Sequence, residues 1–358
     1  MMIVYAAIAL AVAGYVVPLP RKVVLSGFAL LLLFPLVVHG FLPYGLLHRA
    51  VGGSLRGWSA AAVVGGLIFG YLLAFTALKR RSVQGRDAQG FPPPVKDTAP
   101  FFGEAELERY ARHVVLREIG GTGQKRLKNA KVLVIGAGGL GSPALLYLAA
   151  AGVGTIGVVD DDQVSNSNLQ RQIIHTHDRI GADKVASAKD AMLALNPYIS
   201  VQTYRERLTA ERAAELFGDY DLVLDGTDNF DTRYMVNAAA VSAGKPLISA
   251  AITQWEGQIG LYHPAAGGPC YECVFPERPE PGLAPSCAEA GVIAPLPGVI
   301  GSMMALEAVK HLAEAGATLK GELLIYDGLW GETRKMRVRK RADCPRCGEK
   351  VDPARADV

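Results

Sequence analysis

A glycine-rich segment has the spacing that binds phosphate groups. Residues 131–152 read KVLVIGAGGLGSPALLYLAAAG, which is an apolar strand pattern, a glycine turn and a helical pattern. Gly136, Gly138 and Gly141 have the Gly-x-Gly-x-x-Gly spacing. Positions without a side chain let backbone N–H groups approach phosphate oxygens, and the positive end of the helix dipole favours the negative charge. The segment therefore predicts a nucleotide bound at the start of this helix.

A carboxylate follows the next strand pattern. Residues 155–159 form a second apolar run that ends at Asp160. This is about 20 residues after the glycine loop, where a carboxylate can accept hydrogen bonds from ribose hydroxyls. The two features together predict a nucleotide bound on a doubly wound sheet. They fit an NAD-dependent oxidoreductase at least as well as an ATP-dependent enzyme, and a tight glycine turn without any ligand is a third interpretation.

Basic residues beyond this carboxylate favour a triphosphate over a dinucleotide. The polar segment 160–172, DDDQVSNSNLQRQ, contains Arg171, and Lys184 opens the next helical pattern. An enzyme that releases pyrophosphate needs cations to neutralise the departing charge, whereas hydride transfer has no such requirement. We therefore expect ATP as the nucleotide.

A third group of polar residues follows the apolar segment DLVLDG at 221–226. Asp228 and Asn229 come shortly afterwards, at the carboxyl end of a predicted strand, where open parallel sheets bind their ligands. Asp228 can hold Mg²⁺ through a carboxylate oxygen, with phosphate oxygens completing the shell. The alternative interpretation is that Asp228 caps the helix that begins near Phe230.

Several separated motifs occur together between about residues 103 and 347. They are GAGGLG, SNLQRQ, GxxK at 181–184, DGTDN, EGQI, and the pair CAEAGV and PLPGVIGS. In this order they resemble the HesA/MoeB/ThiF family, bacterial relatives of ubiquitin-activating enzymes. The resemblance implies a homodimeric, ATP-dependent adenylyltransferase that activates the C-terminal glycine carboxylate of a small ubiquitin-like sulfur carrier ending in Gly-Gly. The implied pathway is molybdopterin or thiamine-type cofactor biosynthesis.

The resemblance also implies roles for single residues. Asp160 would hold the ribose, Asp228 would position magnesium, and Arg112 would enter the active site of the neighbouring subunit. From its local sequence alone, Arg112 also fits a solvated helix face. The implied catalytic residues are Arg112, Arg171, Lys184, Asp228 and Cys287. The predicted nucleotide-binding residues are Gly136, Gly138, Gly139, Gly141, Asp160, Asn168, Gln170, Arg171, Lys184, Asp228 and Asn229.

Four of the five cysteines form two Cys-x-x-Cys pairs, Cys270 with Cys273 and Cys344 with Cys347. Two such pairs can close a tetrahedral thiolate site that leaves no open position for chemistry. We therefore predict a structural Zn²⁺ that clamps the C-terminal segment onto the domain, with disulfides as the alternative. By the resemblance, Cys287 matches a cysteine that some family members link covalently to the carrier; otherwise it is a spare thiol. The sulfur would come from a separate desulfurase or rhodanese.

The first part of the chain differs in composition from the rest. No Asp or Glu precedes Asp87, and three long apolar stretches occupy 1–20, 23–47 and 57–78. Each is long enough to cross a bilayer core of about 30 Å as a helix. The pattern predicts three transmembrane helices and a multi-pass membrane protein, and the basic residues near the ends of the spans predict a cytoplasmic catalytic domain. The Gly- and Pro-rich segment that follows is expected to be a flexible linker.

Together these patterns predict four parts: a transmembrane region at 1–80, a linker at 81–102, an adenylyltransferase domain with its zinc site at 103–348, and a disordered tail at 349–358. The expected fold of the third part is α/β, with a doubly wound, Rossmann-like and mostly parallel sheet. Acids outnumber basic residues from Asp87 onward, which argues against nucleic-acid binding. The alternatives are an NAD-dependent oxidoreductase and a non-catalytic membrane scaffold that recruits a ubiquitin-like partner.

Two further patterns carry weaker signals. His175 and His177, in IIHTHD, lack other metal ligands at a matching spacing, and both are expected to face solvent. The basic run TRKMRVRKR at 333–341 alternates apolar and charged residues, which predicts an edge strand.

Overall fold

The computed structural model describes residues 34–41, 45, 51, 54, 56–60, 62–64, 67, 71, 101–278 and 287–348. The chain divides into two units, Met1–Pro100 and Phe101–Val358. All of the residues that the sequence analysis singled out for chemistry belong to the second unit.

The three transmembrane helices predicted for the first unit are contradicted by the structure, and so is the multi-pass membrane localisation. Among the described residues, no helix is both long enough and apolar enough to span a membrane. The first predicted span, most of the predicted linker and the predicted tail lie outside the described residues.

The second unit contains one eight-stranded sheet with the order β3-β2-β1-β4-β5-β6-β7-β8. β1 to β5 run parallel to one another, whereas β6, β7 and β8 are antiparallel to their neighbours. The direction of winding therefore reverses between β1 and β4, which is where open α/β sheets bind ligands. The strands are β1 (Lys131–Ile135), β2 (Thr155–Val159), β3 (Ser200–Tyr204), β4 (Leu222–Asp225), β5 (Leu247–Thr253), β6 (Glu256–Tyr262), β7 (Glu322–Asp327) and β8 (Glu332–Arg337).

Helices cover both faces of the sheet. In the central strand β1, Val132 and Val134 are buried in the core on one face, and Leu133 and Ile135 are buried in the core on the other. This alternation follows from the period of two in a strand, and burial on both faces explains why the strand reads as a continuous apolar run. The α-helices described in this unit are α1 (Glu104–Val114), α2 (Gly120–Asn129), α3 (Gly141–Ala151), α4 (Lys184–Leu195), α5 (Ala210–Phe217), α6 (Phe230–Ser242), α7 (Tyr271–Val274), α8 (Cys287–Ala290) and α9 (Pro295–Ala313).

The two cores use different helices. The first contains side chains of α3, α4 and α9, and the second contains side chains of α5 and α6. At the end of the sheet, β8 pairs only with β7 and all of its residues are exposed. The edge strand predicted from the basic run is therefore confirmed.

Candidate active site

The glycine loop joins β1 to α3, and two of its glycines hold the turn closed. Gly136 has a φ of +93°, which L side chains rarely adopt, and its N–H donates to the Val159 carbonyl of β2 at 2.8 Å. At Gly141, a Cβ atom would lie 1.9 Å from the Gly136 carbonyl oxygen. Any side chain at Gly141 would therefore open the turn.

The same turn leaves two backbone amides free. Among the described residues, neither the Gly138 N–H nor the Gly139 N–H donates to an intramolecular acceptor. The Gly138 carbonyl accepts hydrogen bonds from the Ser142 N–H at 2.9 Å and the Ser142 hydroxyl at 2.7 Å. Both glycines line a cavity of about 680 Å³. Unsatisfied N–H groups at the N-terminus of a helix bind anions.

Asp160 follows β2 and lines the same cavity. Its Oδ2 accepts from the Ala137 N–H at 2.8 Å, and its Oδ1 accepts from the Asp162 N–H at 2.9 Å. Burial raises the pKa of Asp160, and the nearby Lys184 opposes this shift. Since each carboxylate oxygen has a second lone pair, the side chain can still accept from ribose hydroxyls while it is fixed against the loop.

Two cations predicted from the sequence, Arg171 and Lys184, also line the cavity. Lys184 is the first residue of α4, and its Nζ lies 2.7 Å from Asp162 Oδ2. The Lys184 side chain is 6% exposed, whereas that of Asp162 is 67% exposed, so water can replace Lys184 as the partner of Asp162 at little cost. The half-buried Arg171 donates from Nη1 to the Ser167 carbonyl at 3.2 Å. Among the described residues, neither cation forms an ion pair with a fully buried acid, and both can therefore rotate toward a phosphate.

The loop after β4 rests on a buried ion pair. Asp225 is fully buried and accepts from the Thr227 hydroxyl at 2.6 Å and the Ser249 hydroxyl at 2.9 Å. Arg233 of α6 lies 3.5 Å from Asp225 and donates to the Thr227 carbonyl at 2.5 Å. Because both Asp225 and Arg233 bond to Thr227, they fix the backbone that leads into Asp228.

The helix cap at the start of α6 is Asn229. Its Oδ1 accepts from the Thr232 N–H at 2.8 Å. Asp228 lines the cavity and is exposed, and its carboxylate forms no hydrogen bond or ion pair within the described part of the chain. The interpretation of Asp228 as the cap is therefore wrong, and this carboxylate is available to a cation.

Most of the predicted nucleotide-binding residues share the cavity. Those that line it are Gly136, Gly138, Gly139, Asp160, Arg171, Lys184, Asp228 and Asn229. Gly141 lies at the closed turn instead. Asn168 is half-buried and Gln170 is exposed in the irregular segment before Arg171, and neither lines the cavity.

Two of the predicted catalytic residues, Arg112 and Cys287, belong to helices α1 and α8. Arg112 is exposed on α1 and is not among the residues that line the cavity. Cys287 begins α8, directly after the undescribed residues 279–286, and its side chain lies outside the described part of the chain.

Sequence reasoning missed two buried residues beyond Arg171. Gln172 is 5% exposed and lines the cavity, and its Oε1 has no hydrogen-bond partner among the described residues. His175 is also 5% exposed, so its predicted solvent-facing position is wrong, whereas His177 is exposed as predicted. The apolar Ile174 between Gln172 and His177 is the signal that this segment returns to the core.

The four paired cysteines form a second candidate site. All four sulfur atoms lie within 4.8 Å of one another, and three of the distances are 3.6 Å (Cys270–Cys344), 3.4 Å (Cys273–Cys347) and 3.8 Å (Cys270–Cys273). Thiolates bound to one Zn²⁺ at about 2.3 Å in a tetrahedron lie about 3.8 Å apart, whereas a disulfide needs about 2.05 Å. All four are free thiols, and this donor set can hold a metal ion.

The surroundings of these cysteines also favour a cation. Burial raises the pKa of Cys270, and the neighbouring sulfurs act in the same direction. The Arg341 N–H donates to Cys273 Sγ at 3.4 Å. One such hydrogen bond to sulfur offsets little of the free-energy cost of burying a thiolate. A bound metal ion would supply the charge that these thiols need in order to ionise, and it would tie the segment after β8 to α7.

A glycine loop at the switch point of a mostly parallel sheet, with a cavity lined by cations and acids, defines a nucleotide-binding α/β protein. Its cysteine cluster adds a candidate metal centre. The chain belongs to the ThiF family, whose sequence profile matches residues 110–346.

The relatives of the chain have named activities. The sulfur carrier protein adenylyltransferase of Thermus thermophilus is 51% identical over 248 residues, which cover 68% of this chain and 92% of the relative. The probable adenylyltransferase/sulfurtransferase MoeZ of Mycobacterium tuberculosis is 49% identical over 263 residues, which cover 73% of this chain and 67% of the relative. The crystal structure of Escherichia coli MccB with ATP has a TM-score of 0.59 and 25% identity, over 69% of this chain and 75% of that one. The family predicted from the motifs is confirmed.

Proposed function

We propose that this protein is an ATP-dependent adenylyltransferase that converts the C-terminal glycine carboxylate of a ubiquitin-like sulfur carrier into an acyl adenylate. The names of the relatives confirm the enzyme class predicted from the sequence, a nucleotidyltransferase. The observation that carries the proposal is the convergence of three kinds of group on one cavity: the free amides of the glycine loop, the cations Arg171 and Lys184, and the carboxylate of Asp228.

The glycine loop is our proposed binding site for the phosphates of ATP. The free N–H groups of Gly138 and Gly139 donate to phosphate oxygens, and the N-terminus of α3 adds the favourable end of its dipole. Asp160 accepts from the ribose hydroxyls. Asn229, which lines the cavity, completes the proposed nucleotide-binding set. Asn168 and Gln170 do not line it, and they stay predictions from the resemblance.

Asp228 is our proposed ligand for Mg²⁺. An exposed carboxylate that has no partner among the described residues suits this ion, which keeps several waters and takes one or two protein carboxylates together with phosphate oxygens. When bound, Mg²⁺ supplies positive charge against the repulsion between the phosphates. The buried pair Asp225–Arg233 beneath Thr227 holds Asp228 at the rim of the cavity.

The chemical step is an in-line displacement at the α-phosphorus. The carrier carboxylate forms the new C–O–P linkage while the bond to pyrophosphate breaks, and the electron pair leaves with pyrophosphate. A terminal carboxylate is already ionised at pH 7, so the step needs no side-chain base. Arg171 and Lys184 stabilise the charge that develops on the leaving pyrophosphate, and the enzyme accelerates the reaction by positioning and preorganised charge.

We further propose a homodimer in which Arg112 of each subunit reaches the cavity of its partner. Arg112 is exposed and has no ion-pair partner in the described part of the chain. An unpaired guanidinium on a surface helix is well suited to a phosphate presented by a second subunit.

The cysteine cluster is our proposed zinc site, with a structural role. Four protein thiolates leave no open coordination position, so a zinc ion here would fix the chain after β8 to α7 rather than take part in catalysis. Cys287 is proposed to attack the acyl adenylate as a thiolate, so that a thioester to the carrier forms while the bond to AMP breaks and AMP leaves, and a separate desulfurase or rhodanese would supply the sulfur. Molybdopterin or thiamine-type cofactor biosynthesis is the proposed pathway.

ATP–pyrophosphate exchange tests this proposal. The full-length protein is incubated with ATP, Mg²⁺, labelled pyrophosphate and a small ubiquitin-fold protein that ends in Gly-Gly. We expect exchange that depends on the carrier and a carrier mass increased by an adenylyl group. A carrier without its last glycine is the matched control, because it keeps the fold and loses the reactive carboxylate position. Absence of exchange with every Gly-Gly carrier of the same cell, together with binding of NAD, would refute the proposal.

A further inference from the structure

His175 is a buried titratable residue that the adenylation mechanism above does not use. Its Nε2 lies 3.0 Å from the Ala137 carbonyl oxygen of the glycine loop, and its Nδ1 lies 2.9 Å from Ser187 Oγ on α4. A carbonyl oxygen can only accept, so Nε2 carries the proton and donates to Ala137. In the neutral ring, Nδ1 accepts from the Ser187 hydroxyl. Burial lowers the pKa of His175, which favours this neutral form.

The hydrogen bond to Ala137 determines how the loop presents its next amide. In a planar trans peptide, the C=O of Ala137 and the N–H of Gly138 point in opposite directions. Holding the carbonyl against His175 therefore turns the Gly138 N–H away from His175. That N–H has no acceptor among the described residues, and Gly138 lines the cavity. The N–H of Ala137 itself donates to Asp160 Oδ2 at 2.8 Å, so its direction does not depend on His175.

An alternative orientation of this peptide is accessible without His175. Rotation of the Ala137–Gly138 peptide changes φ of residue 138, and glycine tolerates both signs of φ. Ala137 is fully buried, so its carbonyl would be left without a donor, which is unfavourable. Turning the oxygen into the cavity would expose it to solvent and relieve that cost, and it would direct the negative end of the peptide dipole at the phosphates.

We propose that His175 is a positioning residue for the nucleotide: it holds the Ala137 carbonyl away from the cavity and so orients the Gly138 N–H toward the phosphates, with Ser187 fixing the imidazole ring. The inference rests on the proposed function in one respect, that the phosphates of a nucleotide bind at the glycine loop. Because Ser187 and Lys184 belong to the same first turn of α4, His175 also ties the loop to the helix that carries a phosphate-binding cation.

A phosphate-specific loss of affinity distinguishes this role from a structural one. The full-length protein and its variants are compared for binding of labelled ATP with Mg²⁺ and of labelled adenosine, by equilibrium dialysis. His175→Leu keeps a similar volume and removes the donor. We expect about a 10- to 100-fold weaker affinity for ATP, from the loss of one buried hydrogen bond and the misdirected carbonyl. The affinity for adenosine, which has no phosphates, should change less than about threefold.

Two further variants control the experiment. His175→Gln restores an N–H donor near the position of Nε2, and it should recover most of the ATP affinity. His177→Leu removes the neighbouring exposed histidine, and ATP binding should not change. Equal weakening of ATP and adenosine binding in His175→Leu, or ATP binding as tight as that of the unchanged protein, would overturn the inference.

Ser187→Ala decides the matter if His175→Leu does not fold. It removes only the hydroxyl that fixes the ring, and we expect ATP affinity to fall about three- to tenfold with adenosine affinity unchanged. Unchanged ATP affinity in this variant would also contradict the inference. If the protein without substitutions fails to bind ATP but binds NAD, the proposed function fails instead, so the two failures are distinguishable.

Discussion

Replacement of Lys184 by methionine should remove catalysis while leaving the fold intact. The Lys184 side chain is 6% exposed, so its charge acts on the nucleotide with little screening by water. Methionine fills a similar volume without the charge. Loss of one preorganised charge-stabilising group lowers the rate by about 10²–10³-fold, which corresponds to about 3–4 kcal/mol at 1.36 kcal/mol per factor of ten.

The same substitution should change stability far less. The partner of Lys184, Asp162, is 67% exposed, and an ion pair with one solvated member contributes less than about 1 kcal/mol. The midpoint of thermal unfolding of Lys184→Met should therefore lie within a few degrees of that of the unchanged protein, since about 1 kcal/mol shifts the midpoint by about 2–4 °C in a domain of this size. A large fall in the exchange rate with only a small shift in the unfolding midpoint would show that Lys184 acts on the phosphates and not on the fold.

ATP–pyrophosphate exchange and thermal unfolding, measured on the same preparations, test this assignment. Lys189→Met is the matched control, because Lys189 lies on the same helix and is not among the residues that line the cavity. We expect exchange to fall about 100-fold or more in Lys184→Met and to stay within about twofold in Lys189→Met. Exchange in Lys184→Met within about threefold of the unchanged protein would refute the reasoning, as would an equal loss in both variants.

The remaining predictions concern magnesium, the subunit partner and the cysteine cluster. Asp228→Asn should raise the Mg²⁺ concentration needed for half-maximal exchange by about tenfold, because a neutral amide binds the ion more weakly; an unchanged requirement would remove Asp228 from the metal site. Arg112→Ala and Lys184→Met should each be inactive, and mixing them after subunit exchange should restore about a quarter of the activity, since half of the dimers would be mixed and each would contain one intact site. No recovery would place Arg112 in its own subunit's site or outside catalysis. Cys344→Ala should lose bound zinc by metal analysis and lower the unfolding midpoint by about 5–10 °C; full zinc content in this variant would exclude Cys344 as a ligand.

The sequence predicted the parts of the site that depend on local backbone geometry. Gly136 and Gly138 could be assigned because the spacing of the loop is set within one turn and one helix start, and Asp160 because it must follow the next strand. The structure brings all three to one cavity. The doubly wound, mostly parallel sheet could also be anticipated, since strand patterns that alternate with helical patterns form such a sheet.

Residues whose roles depend on tertiary packing were missed or misplaced. Asp228 and Asn229 are both good helix caps, and only the bond from the Thr232 N–H to Asn229 shows which one caps α6. His175 resembles a polar loop residue in sequence, yet the glycine loop and α4 close over it. The transmembrane prediction used the length of three apolar runs and their lack of carboxylates, and it is contradicted because no helix among the described residues is both long and apolar enough to span a membrane.

The site divides its tasks among separate strand ends. The loop after β1 supplies neutral N–H donors, the residue after β2 supplies the carboxylate that we propose as the ribose acceptor, and the loop after β4 supplies an exposed carboxylate. The cations come from the connection between β2 and β3, so they can move toward a phosphate without moving the sheet. His175 is the contact that joins this connection to the loop after β1. A triphosphate that binds there would be contacted both by the cations and by the neutral N–H donors. His175 would then fix the orientation of the loop amides relative to the cations.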